Sequence, residues 1–429
     1  MANAMSKKIN VLIFPAGEVN SVELHAALSS CVNIEVFGAA SVDRHGPFIF
    51  RNYIGGLPFA THPAFYDELN KVIERYRIDV VFPTHDSVAD LFSSNRNRIR
   101  AKVVVADPRT AEICRDKAKT YRIFSACDFT PTIYPEFREF PAFIKPIDGQ
   151  GGQGARLVRS PEDVPHDIDL SRYVIQEYLP GEEYTVDCLT DYLGELRVIS
   201  PRSRDRVMAG ISVASKSRSV TVEVRHIAEA INAALTFRGL WFFQIKRDRE
   251  GKWKLLEIST RCAGSMCLTR AMGWNLPLLS VYTALGYPVE ILDSAYSVSM
   301  DRTLISRYKI DYDYSAVYFD FDDTLIINGK VHLPAIWFLY QCRNESKKVI
   351  LVTRHEKDLD ATLAEYCIPR ALFSEIIHIR NEDSKACFVT ESDAIFIDNS
   401  FKERMAVHRA CRIPVFDVDA LEVLMNWTT

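Results

Sequence analysis

The chain has 429 residues, of which 48% are apolar and 25% are charged, as in ordinary globular proteins, and this length predicts two to four domains. With 52 basic and 56 acidic residues the net charge is −4, so overall charge gives no reason to expect binding to nucleic acid or to a membrane. No run of about 18 apolar residues and no signal-peptide pattern occurs, and we therefore expect a cytoplasmic protein.

The first hundred residues alternate short apolar runs with helical patterns. Strands are predicted at residues 9–17 (INVLIFPAG), 78–86 (IDVVFPTHD) and 103–108 (VVVADP), with a helix at about 63–76. Such alternation predicts a parallel, doubly wound, Rossmann-like sheet over residues 7–109, with ligands at the carboxyl ends of the strands.

The pattern of predicted strands and helices changes at about residue 110 and again at about residue 313. Residues 110–293 mix helices with strands of antiparallel type, and residues 294–312 are predicted to be a linker. From residue 313 to 429 short apolar strands recur at regular intervals, beginning with SAVYFDFDDTLI, and predict a second parallel sheet. The expected fold class is therefore multidomain, α/β and α+β.

A glycine-rich loop lies in the middle region. In PAFIKPIDGQGGQGARLV, residues 141–158, a strand ends in Lys145 and four glycines follow, including Gly151, Gly152 and Gly154. Backbone N–H groups of such a loop can approach an anion, and the lysine adds a positive charge for phosphate. A flexible hairpin with an incidental lysine explains this stretch alone equally well.

Two flanking segments favour the phosphate interpretation. CRDKAKTY contains Lys117, and VIQEYLPGEEYTVD, residues 174–187, follows the loop. With the FIKP segment, they resemble the ATP-grasp superfamily of carboxylate ligases, in the branch of the carbamoyl-phosphate synthetase large subunit. The resemblance, over roughly residues 7–293, implies a Rossmann-like pre-ATP-grasp domain followed by an ATP-grasp domain. The implied ATP-binding residues are Lys117, Lys145, Gly151, Gly152 and Gly154 for the phosphates, Gln176, Glu177 and Leu179 for the adenine, and Glu183 for the ribose.

A predicted β-hairpin, residues 241–265, carries the remaining residues of this resemblance. Its strands present Gln244 and Glu257, and Arg261 follows. The resemblance implies that Mg²⁺, or Mn²⁺, binds Gln244, Glu257 and Ser259, and that Arg261 lies beside the transferring phosphoryl group. Ser259 replaces the asparagine of the family pattern E-x-N-x-R, and a hydroxyl is a weaker magnesium ligand than an amide.

The resemblance implies an ADP-forming reaction on small molecules. The γ-phosphoryl of ATP passes to a substrate carboxylate, and an amine attacks the acyl phosphate. The basic segment 201–218 would hold an acidic substrate through Arg204 or Arg206, although such charge runs also form solvated edges. A homodimer is one assembly that we consider.

A different motif begins the last region. In VYFDFDDTLI an apolar strand ends in D-x-D-x-T, with Asp320, Asp322 and Thr324. This spacing resembles the first motif of haloacid dehalogenase (HAD)-type phosphohydrolases, and the later motifs follow in order. The resemblance implies Asp320 as nucleophile, Asp322 as general acid and base, Thr353 and Lys385 as phosphoryl ligands, and a magnesium site of Asp320, Asp322 and Asp398. Lys347 and Lys348 are alternatives to Lys385.

About 28 residues separate Thr324 from Thr353, too few for a large cap domain, so we expect an open site and a phosphorylated substrate. The prediction is a bifunctional enzyme, an ATP-grasp ligase fused to a HAD-like phosphatase. The first alternative is a phosphatase whose ATP-grasp region only binds nucleotide or substrate. The second is a non-catalytic nucleotide-binding scaffold.

Overall fold

The structure is a computed structural model that describes residues 8–149, 152–165, 168–208, 210–292 and 296–428. The chain divides into two compact units, Met1–Leu304 and Ile305–Thr429, here called unit 1 and unit 2. Their boundary falls within residues 294–312, where the sequence predicts a linker. The predicted domain limits at residues 7, 293, 294 and 429 lie outside the described residues. None of the helices in the described part of the chain has the length and apolar character needed to span a membrane.

Unit 1 begins with alternating strands and helices. In chain order these are β1 (Ile9–Phe14), α1 (Val19–Leu28), β2 (Ile34–Ala39), β3 (Asn52–Ile54), α2 (Phe65–Tyr76), β4 (Val80–Pro83), α3 (Asp86–Ser94) and β5 (Lys102–Val103). The strands form a parallel sheet in the order β3-β2-β1-β4-β5. Val11 and Ile13 of β1 belong to the same core cluster as residues of α1, whereas Leu12 packs with residues of α2. Helices therefore cover both faces of the sheet, as in doubly wound folds.

The three strands predicted for this sheet are all shorter than predicted, and β1 ends at Phe14. After β4 the chain turns at Thr84, whose hydroxyl donates to the Pro15 carbonyl, and α3 begins at Asp86. After β5 the Asp107 carboxylate accepts hydrogen bonds from the first turn of the next helix. The Asp107 carboxylate thus caps α4, whereas α3 begins after His85 without a side-chain cap.

The next elements are two helices followed by the strands of an antiparallel sheet, which contains the predicted glycine-rich hairpin. They are α4 (Pro108–Arg115), α5 (Lys117–Ile123), β6 (Ile133–Tyr134), β7 (Ala142–Pro146), β8 (Arg156–Val158) and β9 (Tyr173–Glu177). The strand order is β6-β9-β7-β8.

The rest of unit 1 contributes two further antiparallel sheets. Its elements are β10 (Glu183–Thr190), β11 (Leu196–Ser203), β12 (Arg206–Met208), β13 (Ile211–Lys216), α6 (Val222–Ala234), β14 (Gly239–Arg247), β15 (Trp253–Ser259), α7 (Cys267–Ala271), α8 (Leu276–Ala284) and β16 (Ser299–Asp301). The sheets have the orders β11-β10-β14-β15 and β12-β13-β16. Leu240 and Phe242 of β14 belong to the same core cluster as Val11 and Ile13 of β1. The parallel sheet and the β11-β10-β14-β15 sheet therefore share an apolar core.

Unit 2 contains a second parallel sheet. Its elements are β17 (Ala316–Phe319), β18 (Ile326–Ile327), β19 (Lys330–Val331), α9 (Leu333–Asn344), β20 (Lys348–Thr353), α10 (Leu359–Glu365), β21 (Glu375–His378), β22 (Ala394–Ile397), α11 (Phe401–Cys411), β23 (Val415–Phe416) and α12 (Leu421–Leu424). The five parallel strands have the order β21-β20-β17-β22-β23, and β18 and β19 form a small hairpin. Along the chain, the segments between β17 and β20 are this hairpin and α9, as expected for a unit without a large cap.

Short 3-10 helices complete the two units. They are Gly46–Phe48, Arg96–Arg98, Pro161–Asp163, Leu170–Arg172, Arg370–Leu372, Lys385–Phe388 and Val418–Ala420.

Candidate active sites

Two buried lysines mark the predicted phosphate site of unit 1. Lys117 is the first residue of α5, and its Nζ donates to the Gly149 carbonyl at 2.6 Å. Lys145 lies on β7, and its Nζ donates to the Tyr121 hydroxyl at 2.5 Å and to the Leu256 carbonyl at 2.9 Å. Both lysines therefore make hydrogen bonds to neutral oxygen atoms.

The neutral surroundings change the proton affinity of Lys145. Burial lowers its pKa to about 7, and the positive charge of Lys117 acts in the same direction, while Glu257 opposes them. Burial also lowers the pKa of Lys117. A polyanion beside these lysines would favour their charged forms.

The glycine loop follows β7. Gly152 and Gly154 have positive φ angles of 74° and 73°, which favour glycine. A Cβ atom at Gly154 would lie 2.8 Å from the Pro146 ring, so this position also lacks space for a larger residue. Gly151 lies outside the described residues.

The predicted adenine and ribose residues lie at the end of β9 and the start of β10. Gln176 is buried, with its Oε1 3.3 Å from the Tyr121 hydroxyl, and Leu179 is also buried. The Glu177 carboxylate accepts a hydrogen bond from the Thr132 amide at 2.7 Å. Glu183 lies between two cations, with Arg204 at 2.6 Å and Lys246 at 3.3 Å.

The predicted metal ligands lie on neighbouring strands. Gln244 on β14 is the direct cross-strand partner of Glu257 on β15, so the two side chains lie on the same face of the sheet. Neither side chain has a hydrogen-bond partner among the described residues. Free carboxylate and amide oxygens are the ligands that magnesium prefers, and this pair fits such an ion.

Ser259 and Arg261 both contact an acidic residue from the first sheet. The Ser259 hydroxyl donates to one oxygen of Asp86 at 2.9 Å, and Arg261 Nη2 donates to the other at 2.7 Å. Burial alone would raise the pKa of Asp86, but Arg261 and Ser259 outweigh it and lower this pKa. Asp86 therefore stays ionised and fixes the guanidinium of Arg261.

A cavity of about 420 Å³ adjoins these residues. Gln244, Glu257 and Arg261 line one part of its wall, and Arg202 and Arg204 line another. Carboxylate, amide and guanidinium groups thus face one space that is large enough for a small-molecule substrate.

In unit 2 the predicted acidic residues meet around one lysine. Asp320 follows β17 and Asp398 follows β22, and these strands are neighbours. Lys385 Nζ lies 2.6 Å from a carboxylate oxygen of each. The Thr324 hydroxyl donates to the second oxygen of Asp320 at 3.2 Å. Lys347 is ion-paired with Glu345 and Lys348 with Glu391, so Lys385 is the lysine at this cluster.

The cluster has more negative than positive charge. Burial and the neighbouring Asp398 raise the pKa of Asp320 to about 6, against the opposing effect of Lys385. Two carboxylates share one ammonium group, so the remaining negative charge and the carboxylate oxygens fit a divalent cation. Among the described residues, no group of three or more His, Cys, Asp or Glu side chains is arranged as a metal site.

Asp322, the third predicted acid, contacts a histidine instead. His355 Nδ1 lies 2.9 Å from an oxygen of Asp322, and His355 Nε2 lies 2.9 Å from the Thr362 hydroxyl. That hydroxyl also donates to the Asp358 carbonyl at 2.8 Å. His355 is therefore fixed on both sides and holds Asp322 at the cavity.

Thr353 ends β20 and is completely buried, and its hydroxyl oxygen accepts a hydrogen bond from the His355 amide at 3.1 Å. The cavity beside these groups has a volume of about 760 Å³ and is lined by Asp320, Asp322 and Lys385, among others. Asp323 lies on its wall with a positive φ of 53°. We assign no chemical role to Asp323.

The sequence analysis missed several residues of these sites. Tyr121 lies four residues after Lys117, one helical turn away, and this spacing could have identified it. Asp86 lies just beyond the carboxyl end of a parallel strand, where ligand sites occur. No local signal distinguishes His355 or Arg202, because their partners are distant in sequence.

Comparisons with known proteins agree with the geometry of unit 1. The family model described as "ATP-grasp in the biosynthetic pathway with Ter operon" matches residues 169–303. No curated protein matches the chain at a significant level of similarity.

Several solved structures share the fold at low identity. The biotin carboxylase domain of Hydrogenobacter thermophilus 2-oxoglutarate carboxylase, with MgADP, ADP and bicarbonate, is 15% identical, with a TM-score of 0.55 over 68% of this chain and 74% of that chain. N5-carboxyaminoimidazole synthetase from Staphylococcus aureus, complexed with ADP, is 11% identical, with a TM-score of 0.56 over 66% and 79%. L-amino acid ligase from Bacillus licheniformis is 16% identical, with a TM-score of 0.53 over 65% and 75%.

The family match and the structural neighbours support an ATP-grasp domain. The described residues form a mixed α/β fold with an ATP-grasp-like domain and with both parallel and antiparallel sheets.

Proposed function

We propose that the chain is a magnesium- and ATP-dependent carboxylate–amine ligase that also contains a phosphohydrolase unit. The observation that carries the ligase proposal is the cross-strand pair Gln244–Glu257, which faces the 420 Å³ cavity beside Arg261. The charge of Glu257 raises the pKa of both Lys117 and Lys145, against the effect of burial. The two lysines would complete a site for a nucleoside triphosphate.

Each group has a distinct role in this proposal. Lys117, Lys145 and the glycine loop would hold the phosphates of ATP. The adenine and ribose would contact the residues around β9 and β10. Gln244, Glu257 and Ser259 would hold Mg²⁺ or Mn²⁺, whose charge neutralises the phosphates. MgADP in one structural neighbour and ADP in another support this use of unit 1.

Arg261 acts on the reacting groups. Asp86 fixes its guanidinium at the cavity, where it stabilises negative charge on the transferring phosphoryl group. The substrate carboxylate accepts the phosphoryl group, ADP leaves, and an amine displaces phosphate from the acyl phosphate. A family description that refers to a biosynthetic pathway is in keeping with such a ligase.

Hydroxylamine tests the ligase without knowledge of the amine. It attacks acyl phosphates to give hydroxamates, so ATP, Mg²⁺ and the correct acid should yield ADP and hydroxamate in equal amounts. A panel of small carboxylic acids is screened with the full chain. Arg261→Met should reduce the rate by about 100-fold or more because it removes the charge at the phosphoryl group. Absence of acid-dependent ADP and hydroxamate throughout the panel would contradict the proposal.

The phosphohydrolase proposal rests on the contacts of Asp320, Lys385 and Asp398 at the carboxyl ends of neighbouring strands. Asp320 would attack phosphorus, Asp322 would donate and accept the proton, and Thr353 and Lys385 would hold the phosphoryl group. Asp320 and Asp398 would hold Mg²⁺, and Asp322, which contacts His355, would join them only if its side chain turns towards this cluster. The substrate is a phosphorylated compound, and a cytoplasmic homodimer is part of the proposal.

Asp320→Asn tests this second function. Hydrolysis of p-nitrophenyl phosphate should fall by at least about 1000-fold because the nucleophile is lost. Acid-dependent ADP release should persist, and Asp323→Asn serves as the matched acidic control. Loss of both activities in Asp320→Asn would contradict two independent sites.

A further inference from the structure

Four residues form one row across the β11-β10-β14-β15 sheet of unit 1. Arg202 on β11 pairs with Thr185 on β10, Thr185 pairs with Gln244 on β14, and Gln244 pairs with Glu257 on β15. All four line the 420 Å³ cavity. Neighbouring strands lie about 4.8 Å apart, so the backbone of Arg202 lies two strand spacings, about 10 Å, from that of Gln244.

The far end of this row contains unsatisfied donors. Arg202 is buried, with 1% of its surface exposed, and its Nη2 donates to Asp187 at 3.0 Å and its Nε to the Ser265 carbonyl at 3.1 Å. Its Nη1 has no partner among the described residues, and neither has the buried hydroxyl of Thr185. Buried donors without acceptors are unfavourable, so their position on a cavity wall indicates a ligand oxygen.

Charge at this end also favours an anion. Arg204, two residues after Arg202, lines the same cavity and is ion-paired with Glu183, which also contacts Lys246. Arg202, Arg204 and Lys246 therefore face two carboxylates, those of Asp187 and Glu183, which leaves one positive charge uncompensated. At the other end of the row Glu257 is a carboxylate without a hydrogen-bond partner among the described residues, while Asp86 is paired with Arg261 and Glu18, which also lines the cavity, is paired with Arg44.

We propose that Arg202, Arg204 and Thr185 form a subsite for a second oxyanion of the acid substrate. This inference rests on the proposed ligase function. The substrate would carry a reacting carboxylate at the Gln244–Glu257 end and a carboxylate or phosphate at the Arg202 end. Simple monocarboxylic acids would leave the donors of Arg202 and Thr185 unpaired and would be poor substrates.

Binding measurements test the subsite separately from catalysis. The full chain is titrated calorimetrically, with Mg²⁺ and a non-hydrolysable ATP analogue present, with two pairs of acids. Succinate is compared with its monoamide succinamate, and 3-phosphoglycerate with glycerate. In at least one pair the acid that carries the second oxyanion should bind at least about tenfold more tightly than the acid that lacks it. The pair that shows this preference identifies the second oxyanion as a carboxylate or a phosphate.

Variants assign the preference to the subsite. Arg204→Gln and Thr185→Val should remove most of the tenfold preference. Arg206→Gln is the matched control, because Arg206 lies on β12 with an exposed side chain that pairs with Asp301. Arg202→Gln is combined with Asp187→Asn, so that no buried carboxylate loses its partner, and circular dichroism verifies folding of this variant.

The outcomes separate the two proposals. Equal binding within both pairs, no binding of either dianion, or an equal loss in Arg206→Gln would overturn the subsite. A dianion preference that depends on Arg204, without any acid-dependent hydroxamate, would overturn the ligase proposal and leave the subsite supported.

Discussion

Each unit buries a lysine at its candidate site, but the surroundings of the two lysines differ. Lys145 in unit 1 is 7% exposed and contacts a hydroxyl and a carbonyl, and burial lowers its pKa to about 7. Lys385 in unit 2 is 4% exposed, and although burial opposes it, Asp320 and Asp398 raise its pKa. The two buried lysines therefore differ because their neighbours differ. Lys145 would gain a proton when an anion binds, whereas the carboxylates of Asp320 and Asp398 favour the charged form of Lys385.

The largest expected effect is on stability. Lys385→Met would leave two buried carboxylates without a cation and should destabilise unit 2 by about 3–5 kcal/mol. Lys145→Met removes a buried lysine whose pKa is lowered by burial, so at neutral pH it should not destabilise unit 1. Hydrogen exchange measured by mass spectrometry separates the two units, and Mg²⁺ should restore part of the loss in Lys385→Met. Equal destabilisation by the two changes would contradict the comparison.

The Asp86–Arg261 pair is the counterpart in unit 1 of the Asp320–Lys385 contact. Asp86→Asn keeps the shape but removes the charge that holds Arg261, and kcat of the ligase should fall by about 30-fold, or about 2 kcal/mol. The affinity for ATP should change little. Asp67→Asn, at an exposed position in the first turn of α2, is the control and should leave kcat unchanged. A fall in ATP affinity with unchanged kcat would show that Asp86 contributes to ATP binding and not, through Arg261, to phosphoryl transfer.

The lowered pKa of Lys145 predicts proton uptake on ATP binding. Its pKa is about 7 in the folded chain against 10.5 for free lysine, so at pH 8 it is mostly neutral. ATP phosphates would raise this pKa, and binding at pH 8 should take up about 0.8 proton. Calorimetry in two buffers of different ionisation enthalpy measures this number. Lys145→Met should abolish the uptake, and Lys119→Met, which changes an exposed lysine, should retain it.

The same lysine predicts the sign of a stability change. Because the folded pKa of Lys145 lies below the unfolded value, its burial destabilises the chain most below pH 7. This destabilisation is lost as the pH rises from about 7 towards 10.5. The slope of unfolding free energy against pH in this range should decrease in Lys145→Met.

The smallest expected effect concerns Tyr121. Its hydroxyl accepts a hydrogen bond from Lys145. The acceptors of Lys385 are carboxylates instead of a hydroxyl. Tyr121→Phe should weaken ATP binding about fivefold, or about 1 kcal/mol, because Lys145 loses one of its two acceptors. Thr324→Val in unit 2 should leave ATP binding unchanged and serves as the control. No change in Tyr121→Phe would show that the Leu256 carbonyl alone orients the lysine.

Local patterns in the sequence determined much of the organisation. Alternating strands and helices predicted both parallel sheets, and the i, i+2 spacing of Asp320 and Asp322 predicted carboxylates at a strand end. Lys117, Lys145, Gln244 and Glu257 were found because each lies in a short recognisable segment. These features depend on neighbours within a few residues, which the sequence displays directly.

Only the tertiary structure decided which charges meet. Asp86 and Arg261 are 175 residues apart, and Lys385 meets Asp320 across 65 residues. The row from Arg202 to Glu257 exists because β10 lies between β11 and β14, although β12 and β13 intervene along the chain. Strand order and cross-strand register are set by packing of the whole unit, so periodicity along the chain does not specify such contacts.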